Sequence, residues 1–252
     1  MSEIGATLKN ACENGLTAHQ FDVFRRNYVY RTVTTIYTVA VTVAASLLHS
    51  PPALGVALRT TYGALLEELG PPNQSRVVNW IHEERRSHVE LLFECINAFT
   101  ANCFPSLELL QRHAPLSMQN ILPESVAYRN AQIRLFDPVD FASTVGAAYA
   151  LEHAAEGMLE TIQRAIFVPI AQRSNMNEEA VRDALRYFSV HLNGTEADHG
   201  KEAGLNLEEA MSDPTLAERV CIAVERSFEL QSSFFSALTR TLLAANSSSS
   251  QG

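Results

Sequence analysis

Three apolar helix faces in this sequence are interrupted by carboxylates and histidines, and those interruptions are where chemistry could occur. In the run Val77, Ile81, Glu84, His88, Leu92, Cys95 and Phe99, neighbours lie three or four residues apart and share one face. Glu84 and His88 therefore occupy positions expected of core side chains. A second run, Phe141, Val145, Ala148, Glu152, Ala155, Leu159, Ile162 and Ile166, is broken by Glu152. An ionised carboxylate in a dry core must be protonated, paired or bound to a cation. His153 and Glu156 flank that stripe and suit positions facing solvent or behind the ligands.

The third element, YFSVHLNGTEADHG, carries His191, Glu196, Asp198 and His199 within nine positions. Glu196 and His199, three apart, share a face. His191 and His199, eight apart, are misaligned by about 80° on an ideal helix. One extra residue absorbed near Asn193-Gly194, as in a π-bulge, would bring both histidines to the side of Glu196, and such bulges are frequent at functional sites. A regular helix would instead align His191 with Thr195 and Asp198.

A single Glu/His pair on a helix has an ordinary structural explanation as a satisfied core pair or part of a salt-bridged patch. Three interrupted faces together favour metal ligation. Glu84, His88, Glu152, His191, Glu196 and His199 supply the imidazoles and carboxylates that suit two iron ions, or two manganese ions, with a carboxylate able to bridge them and open positions for dioxygen. Zinc fits less well, because six ligands exceed a tetrahedral site and no thiolate joins the set.

The elements that must position these groups are helical. Thr17, with Gln20 three residues on, predicts an N-cap for a helix through Phe21, Phe24 and Tyr28. The uncharged segment Val33 to Leu48 is short, contains four Thr and one Ser, and runs into Pro51-Pro52, so a central bundle helix apolar on all sides is expected rather than a membrane span. Its VAVTV stretch alone has a period of two. A helix through Leu54, Val56, Leu58 and Leu65 should end at Gly70-Pro71-Pro72, followed by a long one from about Asn73 to Thr100. Shorter helices are expected near Ser106 to Arg112 and Glu124 to Leu135. Asp137-Pro138 should open one ending near Pro169, Asn175 with Glu178 should cap the next, and Asp213-Pro214 should start the last.

With 46% hydrophobic and 19% charged residues, the 252-residue chain can bury a substantial core, and no internal linker divides it. A single domain over 1–245 with a disordered tail at 246–252 is expected. The net charge of −9 and the absence of a Lys/Arg stripe argue against nucleic acid. Cys12, Cys95, Cys103 and Cys221 have no metal-binding spacing, and no secretory signal is evident, so reduced thiols in a cytoplasmic protein are expected.

The stretches GLTAHQFDVF, LLEELG, SHVELLFECINAF, AYALEHAAEGML and YFSVHLNGTEADHGKEA resemble the haem-oxygenase-like di-iron oxidases and oxygenases, related in fold to the TenA, PqqC and chlamydial death-domain-associating proteins. The resemblance implies an all-α haem-oxygenase-like bundle of about seven to nine helices. It maps His88 to the family's early His, Glu152 to its middle, bridging Glu, and His191, Glu196 and His199 to its late triplet. That triplet usually reads HxxxDxxH; here it is one residue longer and uses Glu, leaving Asp198 as the other carboxylate. The first carboxylate could be Glu84, selected by helix geometry, or Glu67 or Glu68 in LLEELG.

The resemblance further implies a di-iron centre without haem, dioxygen as co-substrate, and N-oxygenation, oxidative C–C cleavage or desaturation of a small metabolite such as an amino acid or fatty acid. A homodimer is implied as well. Electrons would come from an external donor, since the sequence has no flavin or nicotinamide fingerprint. A metal-free TenA-like or PqqC-like enzyme of cofactor metabolism is the alternative on the same fold, although no cysteine sits in a recognisable nucleophile context. A non-catalytic helical interaction protein leaves Glu152 and the late triplet unexplained. Tyr28, Tyr30, Arg31, Tyr37 and Tyr149 are candidate cavity residues without an assigned role.

Overall fold

The computed structural model describes residues 15–49, 87–111 and 120–248, with Ala6, Leu8 to Asn10 and Cys12 ahead of them. Among these residues all regular structure is helical. The first long helix, α1 (Ala18–His49), starts at the expected cap: Thr17 N–H donates to Gln20 Oε1 at 2.8 Å, and Gln20 N–H donates back to Thr17 Oγ1 at 3.2 Å. It runs unbroken through VAVTV, whose Thr42 donates to the Phe136 carbonyl at 2.6 Å rather than to a neighbouring strand. Thr34, Thr35 and Thr38 each donate to the carbonyl four residues back. The segment is not apolar on all sides in the sense of full burial, since Tyr37 and Val41 are exposed. No helix among the described residues is long and apolar enough to cross a membrane.

The helix carrying His88, α2 (His88–Cys103), is shorter than expected. Ser87 is extended and forms a capping box with Glu90, so the helix begins at His88 rather than near Asn73. The expected helix through Leu54 to Leu65 lies outside the described residues. Residues 104–111 form turns and irregular chain where a helix near Ser106 to Arg112 was expected. Side chains from elsewhere take its backbone groups: Asn97 both donates to and accepts from Leu110, and Arg25 donates to the Glu108 carbonyl at 2.7 Å.

Next come α3 (Pro123–Leu135) and α4 (Phe141–Ile162), the latter capped by Asp140 rather than Asp137. This helix does not stop at Pro169. A π-turn at Gln163–Phe167 carries it into α5 (Val168–Arg173). Pro169 has no N–H to give an α-helical bond, and the wider turn lets the backbone continue past it. Asn177, not Asn175, caps α6 (Glu178–Ala184) by accepting from Ala180 N–H. A short α7 (Arg186–Val190), a π-turn at His191–Thr195 and α8 (Glu196–Met211) follow as one helical path. Asp213 caps α9 (Pro214–Ser248), which runs three residues past the expected boundary at 245.

α4 packs along α9 on one side and α8 on the other, while α1 lies on α3, α9 and α2. The α4–α9 crossing is close because Gly146 has no side chain: a Cβ there would stand 2.6 Å from the Val220 carbonyl and 2.8 Å from Ala223 Cβ. The main core gathers Phe21, Phe24, Phe99, Phe167 and Phe188 around Phe167, whose ring touches the other four. Gln20 Nε2 donates to the Leu242 carbonyl and ties the start of α1 to the end of α9.

Candidate metal centre

Of the expected ligands whose side chains are described, His88 and His191 are the most deeply buried, at 2% and 3% exposure. His88 opens α2 and His191 opens the second π-turn, and their rings meet edge to face with centroids 4.2 Å apart. Two imidazoles from helices remote in sequence thus converge inside the core. The Tyr187 ring packs on His191 at 4.7 Å, and its hydroxyl lies 3.4 Å from that of Tyr28 on α1. Tyr187 and Tyr28 received no role from the sequence. Their signal was present, for Tyr187 lies one turn before His191 and Tyr28 one turn after the buried Phe24.

Glu152 and His199 form a second pair. His199 Nδ1 lies 3.6 Å from Glu152 Oε2, with both side chains largely buried at 14% and 13% exposure. Close packing of α8 on α4 sets this pair. A Cβ on Gly200 would lie 3.9 Å from the Glu152 carbonyl, in ordinary contact. His153 and Glu156, beside the stripe, are exposed, with His153 stacked on Tyr149.

The π-turn at His191–Thr195 falls where the spacing required an extra residue. Absorbing one residue reduces the offset between His191 and His199 from about 80° to about 20°. Asp198 is exposed on α8 and faces away from the core. The side chain of Glu196 is not among those described. Glu84, Glu67 and Glu68 lie outside the described residues. The geometric case for Glu84, one turn from His88 on a continuous helix, does not carry across the extended backbone of Ser87.

Divalent first-row ions hold nitrogen and oxygen donors at about 2.0–2.2 Å, so adjacent ligands on one ion lie about 3 Å apart. The Glu152–His199 separation is close to that spacing and longer than a strong hydrogen bond. Among the described residues no group of three or more His, Cys, Asp or Glu gathers closely enough to hold a metal ion. The donors come instead as two pairs, imidazole with imidazole and imidazole with carboxylate, a chemistry that fits iron or manganese. A surface pocket lined by Gly15, Cys103, Phe104, Arg173 and Ser174 contains none of them.

The fold and site together define an all-α bundle that brings histidines and a carboxylate from separate helices into its interior. Comparisons with protein-family models, with curated proteins and with solved structures returned no match.

Proposed function

We propose that the protein is a non-haem di-iron, dioxygen-dependent oxidase or oxygenase of the haem-oxygenase-like type, acting on a small metabolite. The observation that carries this reading is the meeting of His88 and His191, two nearly inaccessible imidazoles at 4.2 Å, on a helix that widens into a π-turn at His191. A core histidine pair with only a packing role gives no reason for the π-turn, which sacrifices regular helix hydrogen bonding.

In this reading His88, His191, Glu152 and His199 hold the metals, with Glu196 and one early carboxylate, Glu84, Glu67 or Glu68, completing the set. When bound, the iron pair would supply the activation of dioxygen, with electrons from an external donor. The chain's own residues orient the ligands and exclude water. Tyr187 covers one side of His191, the Tyr28 hydroxyl lies beside that of Tyr187, and the aromatic core around Phe167 and Phe188 packs on Tyr187. A cytoplasmic homodimer belongs to the same reading.

Anaerobic titration with Fe(II), followed by exposure to oxygen, tests it. The expected result is about two irons per chain, as a dinuclear site requires, and a transient visible absorption on mixing with oxygen. His88→Ala, His191→Ala, Glu152→Ala and His199→Ala should each reduce the iron bound. Fewer than two irons in the unmodified protein, together with no loss in these variants, would sink the proposal.

A further inference from the structure

We infer that Arg31 is an anion-recognition point inside the bundle, placed to take the carboxylate of a small organic acid beside the candidate metal centre. Arg31 lies on α1 and is 3% exposed. Its guanidinium carbon stands 5.2 Å from the ring centroid of Tyr128 on α3, and 5.8 Å and 5.5 Å from those of Phe234 and Phe235 on α9. Aromatic faces favour a cation but accept no strong hydrogen bond from its N–H groups. A single long bond, Nη2 to Gln231 Oε1 at 3.4 Å, serves the guanidinium, and the buried Nε meets no acceptor.

Arg25, on the same helix and equally buried, shows how this chain treats a structural arginine. Its guanidinium is bonded to the Asp22 carboxylate, the Thr100 hydroxyl and the Glu108 carbonyl. Arg31 has no such counter-charge among the described residues. A guanidinium stays charged at any ordinary pH and carries five donors in a planar fork matched to a carboxylate. A buried cation left in this state is a cost to the fold that a bound anion would relieve.

Its location links it to both donor pairs. Tyr28, one turn earlier on the same face of α1, reaches Tyr187, which packs on His191. Gln231, the acceptor for Arg31, donates to the Ala150 carbonyl, two residues before Glu152. A carboxylate held at Arg31 would place the rest of a small acid among the rings of Tyr128, Phe234 and Phe235. That this anchor serves oxidation rests on the proposed di-iron reading; anion binding itself does not.

The test uses the full-length metal-free protein and a matched pair of probes, benzoate and benzamide, which share a shape and differ in charge. Calorimetry should show benzoate binding at least tenfold tighter than benzamide at neutral pH. In Arg31→Met and Arg31→Gln that preference should vanish, while the melting temperature stays at or above that of the unmodified protein. Equal binding of the two probes, no binding of benzoate, or benzoate affinity retained in whichever neutral variant folds would overturn the inference. So would failure of both neutral variants to fold, since Arg31 would then be a structural residue. Iron stoichiometry is measured alongside. Benzoate preference that depends on Arg31 without iron uptake would keep the anion site and remove the di-iron reading. Normal iron uptake with no Arg31-dependent preference would do the reverse.

Discussion

Asp22, on α1, is the carboxylate that gathers Arg25, Arg26 and Asn120. Burial alone would raise its carboxyl, but hydrogen bonds from Arg25, Asn120 and Arg26 outweigh that and hold it below its ordinary value. A carboxyl lowered in the folded state stabilises the protein above the unfolded value of about 3.9, and that contribution is lost as pH falls through the lowered folded value. Acid unfolding followed by circular dichroism should therefore have a component below about pH 4 that disappears in Asp22→Asn. Removing the carboxylate also strands the fully buried Arg25, so Asp22→Ala should cost about 3–5 kcal/mol in urea denaturation. The contrast with Arg31 is one of partners: one buried guanidinium is neutralised by its own helix, the other is left to aromatic rings and Gln231.

At the scale of elements, the π-turn at His191–Thr195 and the close α4–α9 crossing do the positioning. Inserting one alanine after Asn193, whose side chain is exposed, adds a residue that the turn does not absorb and should rotate His191 by about 100° relative to His199. Helical content should persist while iron uptake falls; full uptake in the insertion variant would separate the relative phase of His191 and His199 from metal binding. At the crossing, Gly146→Ala would drive a methyl into the Val220 carbonyl and Ala223. The expected loss is about 1–3 kcal/mol, read from the denaturation midpoint. Because Glu152 lies on α4 between α8 and α9, this variant should also weaken iron binding more than a surface substitution of equal destabilisation.

For the whole molecule, thiol accessibility reports how tightly the bundle closes. Burial pushes the Cys12 thiol up to about 12 and raises that of Cys95 still further, whereas Cys221 is exposed on α9. A disulfide reagent at pH 8 should titrate Cys221 rapidly, with Cys103 slower, since burial raises its thiol against a hydrogen bond from Ser174. Cys12 and Cys95 should react only on unfolding. Rapid reaction of Cys95 would mean that the core around His88 opens in solution.

Local signals marked several helix starts and singled out the metal-ligand candidates as interruptions of apolar faces. Thr17 with Gln20 and Asp213 with Pro214 marked helix starts through short-range hydrogen bonds that depend on neighbours in the chain. The phase mismatch of His191 and His199 likewise pointed to a π-turn, because helical phase is a property of spacing alone. Local rules misplaced boundaries where competing partners were distant or equally good: Asn177 over Asn175, and a Ser87 cap inside an otherwise continuous apolar period. Which groups meet was decided by tertiary packing. The contacts of His88 with His191, Glu152 with His199 and Tyr28 with Tyr187 join positions scores of residues apart, and no periodicity encodes them. The exposure of Asp198, and the burial of Arg31 without a counter-charge, follow from how α8 and α1 are seated against their neighbours, a property of the assembled bundle rather than of either helix.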